Sequence, residues 1–398
     1  MKITLATGIF PPAIGGPATY VESLAKEFIR REQEVTVITY ANGVSGGISV
    51  SDEGGKTVVR VAKWGGPLLR WLRYKKALQR YAEATDVVLA FSSVSVGIPL
   101  RMAKLKKPHR FLRLGGDYFW ERYTAIGGMR TLKEWYQLRS PRYKRTVVDD
   151  AAYMLTRRLN TWVLKPLLPA FHHVVFSTQF QEDIYRLYYA RLPQHSVIEN
   201  AFPDAAVITT SPHIEKMDEL KTRHFRLLYF GRFVGFKNLT SLVKAVSLLP
   251  HAKLALVGDG PQGKNLRALV QKLGIIDRVS FTSPKNSSEK KALFADYDLM
   301  VLPSLTEISP NSALEARSAA LPVLLTDETG LSEELTRGMV LRPLREAADI
   351  MRAVLDIEQH YGEVAADAVQ PLFGRSWEQV AAEWIELFGK HMNTVAVS

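Results

Sequence analysis

The sequence predicts an α/β protein made of two doubly wound domains in tandem. Short β-branched runs alternate with longer segments of helical periodicity, and this alternation starts afresh near residue 225. The length of 398 residues suits two to three domains. With 46% apolar and 23% charged residues, the chain has ordinary globular composition, which argues against disordered, collagenous and coiled-coil classes.

Each series of predicted strands is bounded by glycine- or proline-containing turns. The first series comprises residues 2–7, 34–40, 57–61, 86–91, 110–114 and 173–177, and the second comprises residues 225–230, 253–257, 278–282, 298–302 and 322–326. Because helical segments lie between most of these strands, two parallel sheets flanked by helices are the economical interpretation.

The domain boundaries follow from the break between the two series. We predict an N-terminal domain over residues 1–200, a linker over 201–224, where periodicity is lost, and a C-terminal domain over 225–375. Residues 376–398 are predicted to form a closing helix, with a serine N-cap and an apolar stripe that includes Trp377, Val380, Trp384 and Phe388.

The charge is distributed unequally along the chain. The net charge is +12, but residues 1–200 hold 30 Lys/Arg and 16 Asp/Glu, so the excess positive charge lies in the first half. This asymmetry indicates contact with an anionic surface, either nucleic acid or phospholipid, or else a basic solvated face. The absence of cysteine excludes disulfides and thiolate metal sites. With no apolar stretch of 18 residues and no cleavage-like site, we expect neither membrane span nor signal peptide, and a cytoplasmic location.

A first candidate site is the segment 7–17, Thr-Gly-Ile-Phe-Pro-Pro-Ala-Ile-Gly-Gly-Pro, between the first strand and a helix. Glycines at such a place allow the backbone to approach a phosphate at a helix N-terminus. We therefore place Gly15 and Gly16 near a ligand. The alternative is a plain turn, since the pattern is neither a P-loop nor a dinucleotide fingerprint.

A second candidate follows the first strand of the second series, in the segment 231–238, Gly-Arg-Phe-Val-Gly-Phe-Lys-Asn. A guanidinium and an ammonium on one loop, beyond the carboxyl end of a strand, suit the two phosphates of a nucleoside diphosphate. Arg232 and Lys237 are therefore predicted to be diphosphate ligands. A solvated basic turn is the alternative interpretation.

The third candidate is the segment 302–316, Leu-Pro-Ser-Leu-Thr-Glu-Ile-Ser-Pro-Asn-Ser-Ala-Leu-Glu-Ala. Glu307 and Glu315 are placed to accept hydrogen bonds from sugar hydroxyls, while a helix beginning near Ser309, Asn311 and Ser312 presents free backbone N–H groups to an anion. These residues predict a pocket for a polyol and a phosphate. Alone, they are equally well explained as two surface glutamates on an amphipathic helix.

Three other patterns are interpreted as structural. The segment 258–263 matches G-x-G-x-x-G, but no acidic residue closes the next strand, so NAD binding is not expected. Asp296 and Asp298 mimic a metal-binding D-x-D but precede a strand instead of following one, so we expect no metal there. His172 and His173 open a strand and form no metal or triad pattern.

Taken together, the glycine loop, Gly-Arg with Lys237, Gly-Asp-Gly-Pro at 258–261 and the two glutamates resemble the retaining GT-B glycosyltransferases of family 4, the group 1 glycosyltransferases. The resemblance extends over nearly the whole chain and is most specific in the second half. It implies two Rossmann-like domains that face across a cleft, with the donor nucleotide mainly on the C-terminal domain and the acceptor mainly on the N-terminal domain. It also implies that the last helix returns to the N-terminal domain.

The resemblance also assigns roles. Arg232 and Lys237 would neutralise the leaving diphosphate, Gly16 would contact the same phosphates, Glu307 would hold hydroxyls of the transferred sugar, and Glu315 would bind the ribose. No metal and no separate cofactor are implied; the donor is a nucleotide sugar, UDP- or GDP-linked. The family retains the anomeric configuration, by attack on the same face.

The sequence departs from the family pattern at three points. Many members have Glu-Gly-Phe-Gly where this chain has Glu-Ile-Ser-Pro at 307–310, and a family glycine is replaced by Ala320. Members often have His-Asp after the strand at 110–114, where this chain has Gly-Gly-Asp. We place Asp117 near the donor sugar and acceptor, with an Asx turn or helix cap as the alternative.

In this interpretation, the basic first half of the chain binds anionic lipid. The segment 67–80 mixes apolar, aromatic and basic residues as expected of a helix lying on anionic lipid, and residues 139–145 and 157–168 add to that face. We predict a peripheral enzyme at the inner face of the plasma membrane that acts on a glycan or lipid-linked acceptor in surface polysaccharide, lipopolysaccharide or glycolipid synthesis. The alternatives are a non-catalytic nucleic-acid-binding protein, and another GT-B activity such as a sugar-nucleotide epimerase or hydrolase.

Overall fold

The computed structural model describes residues 1–13, 15–141, 143, 145–202, 222–283, 287–370 and 374–395, with the side chains of 287–289, 291 and 393–395 outside this description. The chain divides into two compact units. The first unit is Met1–Phe119, Leu155–Ala201 and Ser376–Ser398, and the second unit is Trp120–Met154 and Phe202–Arg375. The predicted linker, residues 201–224, lies mostly outside the described residues.

The first unit is built on a twisted sheet of mostly parallel strands. Its strands are β1 (Lys2–Ala6), β2 (Glu34–Ala41), β3 (Ile48–Asp52), β4 (Thr57–Ala62), β5 (Val87–Ala90), β6 (His109–Leu114), β7 (His173–Phe176) and β8 (Gln194–Val197). Their order across the described sheet is β3-β4-β2-β1-β5-β6-β7-β8, and β3 alone of these runs antiparallel to its neighbour. The strand order reverses between β1 and β5, where α/β sheets bind ligands.

Helices cover this sheet. They are α1 (Gly16–Arg30), α2 (Gly66–Tyr81), α3 (Ile98–Ala103), α7 (Gln179–Tyr188) and α15 (Trp377–Val395); α4 (Tyr118–Ala125) and α6 (Val147–Leu167) pass from one unit into the other, with α5 (Leu132–Trp135) between them. The apolar stripe of α15 packs into the core of the first unit, where Trp384 Nε1 donates to the Tyr20 hydroxyl over 3.1 Å.

The second unit has a parallel sheet with nearly continuous apolar strands, as expected when both faces are covered. Its described strands are β9 (Phe225–Phe230), β10 (Ala252–Val257), β11 (Val279–Thr282), β12 (Leu299–Leu302), β13 (Val323–Thr326) and β14 (Val340–Arg342), in the order β11-β10-β9-β12-β13-β14. Its helices are α8 (Leu239–Ser247), α9 (Gly263–Lys272), α10 (Ser287–Ala295), α11 (Asn311–Ser318), α12 (Glu333–Thr336), α13 (Ala347–Gln359) and α14 (Tyr361–Asp367). The predicted fold class, two Rossmann-like α/β sheets, is confirmed.

The predicted domain boundary differs from the structure over residues 120–154. We placed this segment in the N-terminal domain, but it packs with the second unit. The side chain of Glu134 is fully buried and lies 2.7 Å from Arg345, and the backbone N–H of Leu132 donates to Thr306 Oγ1 over 2.9 Å. These contacts join positions about 170 to 210 residues apart, so no local sequence pattern indicates them.

The strand predictions missed β3, β8 and β14. Two of these, β3 and β8, contain serine, aspartate or glutamine at positions that a buried strand would fill with aliphatic residues. β14 has only three residues. All three lie at the edges of their sheets, where the burial that produces an apolar pattern is incomplete.

Candidate active site

The loop after β9 is held from both of its ends. The hydroxyl of Tyr229 donates to the carbonyl of Arg232 over 2.9 Å, and a short 3₁₀ turn, Gly235–Lys237, follows. Asn238 adopts a left-handed conformation with φ of 55°, and its amide donates to the carbonyls of Leu344 and Arg345 over 3.0 and 2.9 Å. These bonds fix the direction in which Lys237 leaves the backbone.

Lys237 and Glu307, two residues predicted for the site, are in direct contact. Lys237 Nζ lies 2.6 Å from Glu307 Oε1, and the Ser304 hydroxyl donates to the same carboxylate oxygen. Glu307 is only 4% exposed. A buried carboxylate needs such partners because desolvation strongly disfavours an unpaired charge.

The backbone on both sides of Glu307 is equally constrained. Its N–H donates to the carbonyl of Glu328 over 2.9 Å, and its carbonyl accepts from the N–H of Gly330 over 2.7 Å. The preceding residue, Thr306, accepts the hydrogen bond from Leu132 in the segment 120–154. The carboxylate is therefore presented by a rigid loop at the carboxyl end of β12.

Arg232 differs from Lys237 in its exposure and in its ion pairing. Its side chain is exposed, and among the described residues it has no carboxylate partner within ion-pair distance. One loop thus holds a cation that is already paired and a cation that is available to an anionic ligand.

Glu315 lies on α11, which begins at Asn311 after Pro310. Lys290 Nζ contacts both of its carboxylate oxygens, at 2.9 and 2.8 Å. Ser309 precedes this helix, and Asn311 and Ser312 form its first turn, as predicted. The two glutamates therefore have different basic partners, and neither is a plain solvated surface residue.

The segment 258–263 packs against the loop that holds Arg232. A Cβ built on Gly258 would lie 1.9 Å from the carbonyl oxygen of Gly231, and one on Gly260 would lie 2.5 Å from the carbonyl oxygen of Phe233. The N–H of Phe233 also donates to the carbonyl of Asp259 over 2.9 Å. These glycines are required by close backbone contact with that loop.

The other patterns judged structural have partners in the fold. Asp298 is 2% exposed, and its carboxylate accepts two hydrogen bonds from the Arg223 guanidinium, of 2.6 and 2.7 Å. His173 lies 2.9 Å from the Ser196 hydroxyl and 3.2 Å from His391. In the part of the chain that the structure describes, no group of three histidines or carboxylates is arranged to hold a metal ion.

Gly15, Gly16 and Asp117 belong to the first unit. Gly16 opens α1, and a Cβ built there would meet no described atom within 4 Å. Asp117 is fully buried, and the Tyr185 hydroxyl donates to its Oδ2 over 2.9 Å. Its assignment to the donor sugar and acceptor stays a prediction.

Sequence reasoning did not predict several partners of the site: Ser304, Thr306 and Lys290. Ser304 lies three residues before Glu307, beyond the same strand, and belongs to the motif that carries the resemblance, but we assigned it no role of its own. Lys290 and Leu132 come close to the site only through the tertiary fold.

The chain has two α/β units with mostly parallel sheets, and its second unit holds two lysine–glutamate pairs. Its fold is of the GT-B class, as the solved structures described below show. The family model for glycosyl transferases group 1 matches residues 212–366, and the family model for the glycosyl transferase 4-like domain matches residues 15–201. The chain belongs to the group 1 glycosyltransferases, family 4.

Individual relatives show the same grouping. A D-inositol 3-phosphate glycosyltransferase of Arthrobacter sp. is 29% identical over 177 residues, 41% of this chain and 42% of that protein, so the chain spans less than half the length of this relative. Sucrose-phosphate synthase from Thermosynechococcus elongatus superposes with a TM-score of 0.72 at 19% identity, over 99% of both chains. Anabaena HepE, solved in complex with UDP and glucose, gives a TM-score of 0.62 at 17% identity over the whole of both chains. At these identities the structural likeness concerns the fold.

Proposed function

We propose that the protein is a retaining glycosyltransferase that moves a sugar from a UDP- or GDP-linked donor to a glycan or lipid-linked acceptor, in synthesis of a surface polysaccharide, lipopolysaccharide or glycolipid. The observation that carries this proposal is the arrangement of Arg232, Lys237 and Glu307. An available guanidinium and a carboxylate-paired ammonium leave one loop, beside a buried carboxylate. Anabaena HepE, solved in complex with UDP and glucose, supports a nucleotide-sugar donor.

In this proposal the second unit binds the donor. Arg232 and Lys237 bind the diphosphate, and the N-terminal end of α11, from Ser309 through Asn311 to Ser312, adds to the positive potential around it. The N–H of Asn311 itself donates to the carbonyl of Ser309 over 3.1 Å. The bond between the anomeric carbon and the diphosphate breaks while an acceptor hydroxyl bonds to that carbon on the same face. The acceptor proton leaves with the diphosphate, whose developing charge the two cations stabilise.

The two glutamates have separate roles. Glu307 accepts hydrogen bonds from hydroxyls of the transferred sugar, and its contact with Lys237 links sugar and phosphate recognition. Glu315, held by Lys290, accepts the hydroxyls of the ribose. For Gly15, Gly16 and Asp117 of the first unit, the proposal keeps the predicted roles, the two glycines as phosphate contacts and Asp117 as a residue of the sugar and acceptor site.

Nucleotide binding tests the donor site. We expect one nucleoside diphosphate among UDP, GDP and ADP to raise the melting temperature, because a ligand that binds only the native state stabilises it. Arg232→Ala and Lys237→Ala abolish this shift, whereas Lys244→Ala, an exposed control on α8, retains it. Stabilisation by single-stranded RNA alone, with no response to any diphosphate, contradicts the proposal and favours a nucleic-acid-binding protein.

We also propose that the first unit binds an anionic membrane surface, the inner face of the plasma membrane. No described helix is long and apolar enough to cross a bilayer. On α2, Leu68 and Leu69 are 62% and 47% exposed and stand beside Arg73 and Lys76. An exposed mixture of leucine and basic residues on one helix is typical of interfacial binding.

Helix α6 supports the same proposal by its exposed apolar residues. In the part that belongs to the first unit, Leu155, Leu159 and Trp162 are exposed, although Leu164 and Leu167 of the same helix are buried. The solvent-facing side of a surface helix normally carries polar residues at such positions.

Co-sedimentation with vesicles tests membrane binding. We expect vesicles rich in phosphatidylglycerol to bind the protein at low salt and phosphatidylcholine vesicles to bind it weakly. Leu68→Ser with Trp162→Ser reduces the bound fraction, and the control Leu355→Ser, an exposed leucine of α13, does not. Equal binding to both kinds of vesicle, or none to either, contradicts membrane association.

A further inference from the structure

A cavity of about 440 Å³ lies in the first unit, at the carboxyl ends of its strands. It is lined by Thr7 after β1, Tyr40 in β2, Lys63 after β4 and Phe91 after β5, and by residues of α2. The sheet order reverses between β1 and β5, so the cavity occupies the switch point of the sheet. Its volume lies in the range of roughly 300–1,000 Å³ that is usual for small-molecule sites.

The charged residues that line this cavity are basic. Lys63 and Arg70 line it, and no aspartate or glutamate is among the described lining residues. Within the described chain, neither side chain has an ion-pair partner. Two cations that converge on a cavity without a neutralising carboxylate attract an anionic ligand.

The rest of the lining combines aromatic and hydroxyl-bearing residues with aliphatic ones, among them Ile9, Pro67 and Val94. Trp71 and Tyr118 present ring surfaces, and Ser92 and Ser95 contribute hydroxyls. The hydroxyl of Tyr40 donates to the carbonyl of Ser95 over 2.9 Å. This combination suits a ring with one apolar face and several hydroxyl groups, and such a ring is a sugar or a cyclitol.

Arg70 and Trp71 are held in place through their helix. Tyr74, fully buried one turn further along α2, donates to the carbonyls of Thr7 and Ile38 over 3.1 and 2.7 Å. These bonds join α2 to the residue that follows β1 and to the interior of β2. The cavity is therefore preformed on the sheet, which lowers the cost of binding.

We infer that this cavity binds an anionic sugar or cyclitol, with its phosphate or carboxylate on Arg70 and Lys63 and its ring against Trp71 and Tyr118. That this ligand is the acceptor rests on the proposed function. The binding chemistry itself does not, because every lining residue belongs to the first unit and none is a predicted donor ligand.

Ligand-observed NMR and calorimetry with defined probes test this inference. The probes are glucose 6-phosphate, inositol 1-phosphate, glucuronate, glucose, inorganic phosphate and the soluble short-chain lipid dihexanoyl phosphatidic acid. We expect at least one anionic sugar or cyclitol to bind at least about 10-fold more tightly than glucose, since hydrogen bonds to charged groups are among the strongest in proteins. Arg70→Gln and Lys63→Gln each remove most of this difference, whereas Lys104→Gln, an exposed residue after α3 and outside the lining, leaves it unchanged.

The remaining outcomes separate the possibilities. Binding of the lipid phosphate that depends on Arg70 while all sugars fail assigns the cations to a lipid headgroup and overturns the sugar part of the inference. Equal binding of glucose and the anionic sugars, failure of every anionic sugar at millimolar concentration, or insensitivity to Arg70→Gln overturns it entirely. Diphosphate binding measured in parallel through Arg232→Ala reports on the donor site, so a failure of the proposed function is distinguishable from a failure of this cavity.

Discussion

Glu307 and Glu315 are eight positions apart and yet have different partners, so their replacement has different effects. Glu315→Gln weakens nucleoside diphosphate binding about 10-fold, because a charge-assisted acceptor for hydroxyls is lost. Glu307→Gln leaves Lys237 free for the phosphates and therefore preserves nucleotide affinity, but lowers kcat at least about 100-fold. Calorimetry with the bare nucleotide and steady-state kinetics measure the two effects, with Glu363→Gln, an exposed residue of α14, as a surface control. Equal losses of nucleotide affinity contradict the division of roles.

Ala320 occupies a position that the family fills with glycine, and its backbone shows why. Helix α11 ends in a Schellman motif, in which the N–H of Ala320 donates to Arg317 and that of Leu321 to Ala316. Ala320 has a φ of 58°, a left-handed conformation that is unfavourable for residues with a Cβ.

We therefore predict that Ala320→Gly raises the free energy of unfolding by about 0.5–1 kcal/mol. The relief of strain in the left-handed backbone outweighs the entropy that glycine adds to the unfolded chain. Urea denaturation measures the change. The control Ala319→Gly, at a φ of −97°, relieves no strain and does not stabilise. A destabilised Ala320→Gly protein contradicts the argument.

At the scale of elements, the segment 120–154 belongs to the architecture of the donor site. A Cβ built on Gly235 would lie 2.3 Å from the carbonyl oxygen of Thr124 in α4. Gly235 begins the 3₁₀ turn that positions Lys237, so the close approach of α4 sets the position of this turn.

Gly235→Ala should destabilise the second unit by roughly 1–3 kcal/mol, since backbone atoms must move to admit the methyl group. It should also lower nucleotide affinity, because the displaced turn carries Lys237. Gly263→Ala is the matched control: its Cβ would lie 3.6 Å from Phe233, an ordinary contact, on helix α9. Thermal denaturation and calorimetry test both effects, and unchanged behaviour of Gly235→Ala means that α4 does not constrain the turn.

For the molecule as a whole, two adjacent histidines of the first unit make stability depend on pH. Partial desolvation, followed by the charge of Arg110, lowers the pKa of His172 to about 4. Burial, followed by repulsion from His391, lowers the pKa of His173 to about 4 as well. Both imidazoles are neutral in the folded protein at pH values where the unfolded chain binds protons.

Between the unfolded pKa of about 6.5 and the folded pKa of about 4, the unfolded state therefore binds more protons than the folded state. The free energy of unfolding consequently falls as the pH falls through this window. Urea midpoints measured from about pH 7 to about pH 4.5 should decrease. His173→Gln, which can keep the bond to Ser196, makes this decrease smaller, whereas the exposed His360→Gln does not. A slope that His173→Gln leaves unchanged assigns the pH dependence to other groups.

Much of the fold and part of the site were predictable from local patterns. Buried parallel strands need continuous apolar runs, so β9 is predicted with its observed bounds, whereas the polar edge strands β3 and β8 have no such pattern. The candidate ligands Lys237 and Glu307 were identified because each follows a strand. Their mutual contact was not, because it joins residues 70 positions apart.

The sequence by itself determined the two α/β units, the family and the loops on which the candidate residues lie, because strand and helix periodicity and short motifs are local properties. Only the tertiary structure decided that Lys237 pairs with Glu307 and Lys290 with Glu315, and that residues 120–154 pack with the second unit. It alone gathered Lys63 and Arg70 around one cavity. Such contacts depend on how distant segments are packed, and a linear pattern of residue types does not record that packing.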